Sequence, residues 1–302
     1  MQYVVRRMTI DGGADYIVVS RAQFEDAKCA RKGLLDALSI EEKFDILIEN
    51  YFEFERDLLE ITLRNTLFHE KDWSSFQSEI HLIDRRIINL LTTSRLYLDQ
   101  LNHQVSSTYG KVSKVQASLK KKLSDEYDST RGYRVLDALR NFVQHRDLPV
   151  FRLQHGASRK DVASKSKRTI TPSLSVSRLK DDKSFKKSII KELELLGDNV
   201  DLKPLIRESM EAFGRIHSLV RDSWADDVTR WDKAILELRK LYQDRFGVFD
   251  VGLSVVAIDD NGKIDEAASI FEDLIQRRKS LRQKNLAITR FNAEIITSES
   301  EA

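Results

Sequence analysis

The chain has 302 residues, of which 41% are hydrophobic and 32% charged, with a formal net charge of +2. That apolar share is ample for a packed core in one large or two modest domains. Cys29 is the single cysteine, which excludes a disulfide framework and a cysteine-rich zinc cluster and fits a reducing cytoplasm. No apolar run approaches the roughly 20 residues of a membrane-spanning helix, and Arg6 and Arg7 sit inside an alternating pattern rather than ahead of an apolar leader. The expectation is a cytoplasmic protein with neither export nor membrane insertion.

Residues 2–10 and 16–20 are β-branched runs flanking Asp11-Gly12-Gly13, which reads as a short hairpin with its turn. Residues 1–38 are taken as this hairpin and a lead-in. From Ser39 the pattern turns helical, with Ser39 as N-cap and Glu42 completing a capping box. Phe44, Ile48, Tyr51, Glu55, Leu58 and either Ile61 or Thr62 trace one stripe, widened by Leu47, Phe54 and Leu59. A second helix over 74–103 carries Phe76, Ile80, Ile83, Ile87, Leu90, Tyr97 and Leu101. A third, over 113–127, repeats Val115, Leu119 and Leu123. The fourth runs over 130–146, and Pro149 prevents its continuation. Four successive helices pack most simply as an antiparallel bundle over residues 39–147.

Beyond Pro149 the chain changes character. Residues 150–153 and 169–176 look extended, with Gly156 and Pro172 and many Ser and Lys around them. Residues 146–190 hold 12 Lys and Arg against 4 Asp, a local charge of +8 that leaves −6 for the remainder. Such a stretch favours a polyanionic partner, because each neutralised phosphate releases counterions; a solvated linker explains it equally well. Asp201 ahead of Pro204 opens a helix of about 40 residues. Its stripe is Phe213, Ile216, Val220, Trp224, Val228, Trp231, Ile235, Leu238 and Tyr242, the strongest periodicity in the chain, and a helix this long is expected to span two packing partners or join a dimer interface. Gly247 ends it. A strand over 253–258, a turn over 259–262 and a last helix over 266–286 complete the reading. The fold class is therefore mainly α, with a short N-terminal β-hairpin and a C-terminal α+β element, residues 148–302, that contains one long helix.

The fourth helix carries Arg140-Asn141-Phe142-Val143-Gln144-His145. At about 100° per residue, Asn141 and His145 lie one turn apart, and the long Arg140 side chain reaches the same groove from about 140° away. Leu136, Leu139 and Val143 seat the other side in the core. An Arg, a polar neighbour and a His after this gap, near the end of a helix in a bundle, resemble the motif of the HEPN domain family, and the resemblance covers roughly residues 40–147. It implies an HEPN-like antiparallel bundle and metal-independent RNA cleavage at a composite site where two motif helices face each other in a homodimer. His145 would serve as general base or acid, Arg140 would stabilise the phosphorane-like transition state, and Asn141 would orient His145 or hold a phosphate oxygen. The basic residues Arg146, Arg152, Lys165, Lys167 and Arg168 would bind RNA. No metal or cofactor is expected. A bacterial toxin or phage-defence role with a regulatory or neutralising protein partner follows by analogy. The competing reading is a non-enzymatic helical interaction protein, with Arg140 and His145 merely complementing the helix dipole.

Other candidates read as structural. Asp259-Asp260-Asn261-Gly262 lacks the alternating ligands and distal Glu of a calcium loop. His69, His81 and His103 have no metal-like partner at i+4. Trp224 and Trp231 belong to an apolar stripe rather than a base-stacking platform. The tract over 158–187 lacks aromatics before Phe185, which weakens a single-strand RNA reading there.

Overall fold

The structure is a computed structural model that describes residues 1–8, 15–68, 72–159, 166–183, 185–247, 252–285, 289 and 291. In chain order the elements are β1 Gln2–Arg7, β2 Tyr16–Val18, α1 Arg21–Leu67, α2 Trp73–Tyr109, α3 Lys114–Ser129, α4 Arg131–His145, β3 Arg152–Ser158, β4 Lys167–Ser175, α5 Val176–Asp181, α6 Lys187–Glu194, β5 Asn199–Asp201, α7 Leu202–Phe246, β6 Leu253–Ile258, β7 Ile264–Ser269 and α8 Asp273–Lys284. The protein is mainly helical, with two small antiparallel sheets ordered β2-β1-β6-β7 and β3-β4-β5. The N-terminal hairpin is present in β1 and β2, with Val4 opposite Val18. Its expected turn at Asp11-Gly12-Gly13 lies outside the described residues.

Two compact units are assembled from separated stretches: residues 1–43, 104–115 and 219–286 in one, and residues 44–103, 116–218 and 287–302 in the other. In the first, β6 lies between β1 and β7, its first five residues buried and Val256 opposite Val4. Phe24, Leu34, Trp231, Ile235 and Ile275 join that core. The Arg221 guanidinium donates to buried Glu41, 2.8 Å away, and Arg278 donates to Asp232 at 2.7 Å, so these buried charges are paired.

Two expectations fail in this unit. Ser39 does not cap a helix, because α1 starts eighteen residues earlier and runs through it. The capping box exists instead at Ser20 and Gln23. Gln23 N–H donates to Ser20 Oγ at 3.1 Å while Ser20 N–H donates to Gln23 Oε1 at 2.9 Å, satisfying two amide donors that a helix start leaves open. The expected helix over 266–286 is in its first part a strand. Residues 264–269 include the helix formers Glu266, Ala267 and Ala268 but pair antiparallel with β6, Ser269 opposite Ser254, so sheet pairing overrides local preference.

The second unit is the bundle that holds the motif helix. Arg86 of α2 donates to Asp57 of α1 at 2.6 Å, and Asn65 of α1 donates to Glu79 of α2 at 2.7 Å, so the two helices run antiparallel. Tyr51, Leu58, Ile83, Ile87 and Leu90 are buried as the periodicity predicts, while Ile48 is half-buried and Leu59 faces solvent. The start of α7 belongs to this unit too. Arg207 donates to Glu55 of α1, His217 Nδ1 lies 2.9 Å from the Tyr97 hydroxyl of α2, Arg215 donates to Glu126 of α3, and Glu208 accepts from the Gly132 amide of α4. The bundle thus takes in a helix that the sequence reading placed outside it. All nine residues of the α7 stripe, from Phe213 to Tyr242, are buried within the chain, which fits the packing alternative of the two expected for so long a helix and leaves the stripe no free dimer face.

Candidate active site

Helix α4 is amphipathic on a short scale. Tyr133, Val135, Leu136, Ala138, Leu139 and Phe142 are buried, which leaves Arg140 half-buried and Asn141, Gln144 and His145 exposed. The helix stops at His145, where Arg146 leaves helical geometry at φ −134 and ψ −74 and its N–H donates to the Phe142 carbonyl. The segment that follows is fastened to α2: Val150 N–H donates to Asp84 Oδ1 at 2.9 Å. Asp84 is 2% exposed, and burial pushes its carboxyl up to about 6 against the opposing pull of the Val150 amide. This staple sets the path of Asp147 and Leu148 beside the motif.

The result is a groove of about 510 Å³ in which Arg140, Val143, His145 and Arg146 face Leu91 and Thr92 of α2, with Asp147 at its edge. Val143 therefore lines the groove rather than seating the helix in the core. The Arg140 guanidinium donates from Nη1 to Asn141 Oδ1 at 3.3 Å, and its Nε is buried with no hydrogen-bond partner. Among the described residues it has no carboxylate partner, since nearby Asp137 is held by Lys186 and Arg95. A cation without a paired anion, facing an open groove that also holds an exposed imidazole, can receive a phosphate. Asn141 sits outside the lining and touches the groove through Arg140.

The five expected RNA-binding residues do not form one patch. Arg146 lines the motif groove and pairs with Asp182 at 3.3 Å. Arg152 is exposed at the start of β3, opposite Ser173, while Lys167 and Arg168 are exposed at the other end of the β3–β4 hairpin, opposite Ser158 and Ala157. Lys165 lies outside the described residues. The sequence reading missed Asp84, whose role as a staple depends on a partner 66 residues away. The Asp-to-backbone contact left no local trace in the pattern.

Comparison with known proteins returns no matching family model, no similar characterised protein and no similar solved structure. The functional reading is therefore carried by the motif and its surroundings.

Proposed function

We propose that the protein is an HEPN-like, metal-independent endoribonuclease that cleaves RNA at the α4 groove. The observation that carries this reading is the shared groove of Arg140 and His145, in which the guanidinium has no carboxylate partner among the described residues and the imidazole is exposed. In the reaction His145 takes the proton of a ribose 2′-hydroxyl, whose oxygen attacks the adjacent phosphorus, while the bond to the 5′-oxygen breaks and that oxygen takes a proton from water. Arg140 neutralises the charge that accumulates on the phosphoryl oxygens. The products are a 2′,3′-cyclic phosphate and a 5′-hydroxyl. A second copy of the chain would face the groove and complete a composite site.

The test is incubation of the purified chain with single-stranded RNA in excess EDTA, beside DNA of the same sequence. Cleavage of RNA alone, lost in Arg140→Ala and His145→Ala, is expected. RNA left intact under these conditions, or cleavage equal in both variants, overturns the reading.

One observation favours the interaction-protein reading instead. Phe52, Leu59, Leu63 and Leu67 are each more than half exposed at steps of seven and four along α1, an apolar stripe on one face of the helix. Leu59→Asp and Leu63→Asp would abolish assembly on that reading, with the oligomeric state measured by light scattering. Unchanged mass in these variants sinks it.

A further inference from the structure

A second cleft, of about 460 Å³, is formed by the end of α1, the start of α2 and the β3–β4 hairpin. Its walls carry rings. Trp73 is 75% exposed, whereas Trp224 and Trp231 are 3% and 6% exposed. Its ring centroid lies 6.3 Å from that of Phe76, and Phe76 in turn lies 5.9 Å from the His155 ring. An indole left open to water beside a second aromatic forfeits burial that the other two tryptophans gain, and a planar ligand would restore it.

The polar groups of the cleft are held in place before any ligand arrives. Glu79 accepts from Asn65 Nδ2 at 2.7 Å, and its other oxygen lies 3.1 Å from His155 Nε2, so two elements fix the carboxylate. A carboxylate has about four lone-pair sites, and two partners leave room for further donors. Arg168 lines the same cleft, exposed and without an ion pair among the described residues. The hairpin comes close here: a Cβ at Gly156 would lie 2.4 Å from Thr169 Oγ1, so this glycine keeps the strand wall flat.

We propose that this cleft binds a guanine nucleotide unit, the base stacking on Trp73 and Phe76, its two adjacent N–H donors meeting Glu79, and its phosphate neutralised by Arg168. Stacking supplies affinity that any base shares, the paired donors of guanine supply the preference, and a guanidinium is the side chain suited to a phosphate. The unit can come from a free nucleotide or from a single RNA strand, since both present the same base and phosphate. The inference is independent of whether the α4 groove cleaves RNA.

The experiment is equilibrium dialysis of the full chain against GMP, AMP, inorganic phosphate and a cleavage-resistant 2′-O-methyl pentanucleotide containing one guanine. GMP or the pentanucleotide should bind saturably, and more tightly than AMP or phosphate. Trp73→Ala and Arg168→Ala should each weaken binding about tenfold, and Glu79→Gln should remove the preference for guanine over adenine. Circular dichroism should be unchanged, because Trp73 and Arg168 are exposed. Binding of the pentanucleotide alone assigns the strand as the source; equal binding of GMP assigns the free nucleotide. The proposal is overturned if neither ligand binds, if the three substitutions leave binding unchanged, or if Arg140→Ala or His145→Ala abolishes it, since the ligand would then occupy the α4 groove.

Discussion

The backbone amide of Gly132 lies 2.9 Å from Glu208 Oε2 and donates to it. The bond fastens the first turn of the motif helix α4 to α7 at a backbone distance that only glycine allows. A Cβ at position 132 would stand 2.2 Å from the Leu205 carbonyl oxygen, an atom of backbone that cannot rotate away. Glycine to alanine in an open helix gains about 1 kcal/mol, whereas overpacking costs about 1–3 kcal/mol. Gly132→Ala should therefore lower the melting temperature. A variant that melts at or above the unmodified chain would refute the close approach of α4 and α7.

The Glu55 carboxylate receives both Nε and Nη2 of Arg207 at 2.8 Å and the Tyr51 hydroxyl at 2.9 Å. With Glu55 8% exposed, removal of the guanidinium strands a buried charge. Arg207→Met should cost about 3–5 kcal/mol in urea unfolding, and the further change Glu55→Gln should recover part of it. Equal losses in the single and double variants would show that shape, not charge pairing, sets the effect.

For Asp84 the folded-state carboxyl sits at about 6, above the ordinary 3.8, so between these values the folded chain keeps a proton that the unfolded chain has lost. Its contribution to stability is fully present below 3.8 and disappears as pH rises through about 6, with a limiting slope of about 1.4 kcal/mol per pH unit. Asp84→Asn keeps an acceptor for the Val150 amide but cannot titrate. The difference in urea midpoint between the two proteins should change across this window and be constant above it; parallel curves throughout would contradict the raised carboxyl.

Within the motif the three residues should differ in their effect on RNA cleavage. His145→Ala should lower the rate about 10²- to 10⁴-fold with little change in melting temperature, because His145 is exposed at the helix end. Arg140→Lys keeps the charge but loses the planar fork and should also be impaired. Asn141 reaches the groove only through its 3.3 Å contact with Arg140, so Asn141→Ala should cost less than either. An Asn141 effect as large as that of His145 would mean that Asn141 itself meets the substrate.

At the start of α1, Ser20→Ala removes the acceptor of the Gln23 amide and should destabilise the chain by about 1 kcal/mol, while Ser39→Ala, inside the same helix, should not. Thermal melts of the two variants decide where the helix begins.

The comparison of Ser20 with Ser39 shows how far sequence alone reaches. Both positions fit a serine followed three residues later by Gln or Glu, and local chemistry cannot say which one starts the helix. The long apolar stripes of α1, α2 and α7 were legible because burial of one helix face imposes a 3.6-residue period on the sequence whatever the partner. All nine residues of the α7 stripe are buried, and Gly247, at φ +87, closes that helix where it was expected. The motif was legible for the same reason: Arg140, Asn141 and His145 share one short helix.

What covers each stripe was decided only by the tertiary structure, since periodicity names a buried face and not its neighbour. The α7 stripe turned out to be spent within the chain. Residues 264–269 became a strand because β6 offered unpaired backbone beside them, a long-range gain that outweighs the helix preference of Glu266 and Ala267. Arg140 and His145 face a groove because Asp84 holds the Val150 amide, and the cleft of Trp73, Glu79 and Arg168 joins residues 62–79 to the β3–β4 hairpin, two stretches that are distant in sequence. Contacts of this kind form between residues far apart along the backbone, so they leave no spacing for a sequence to display.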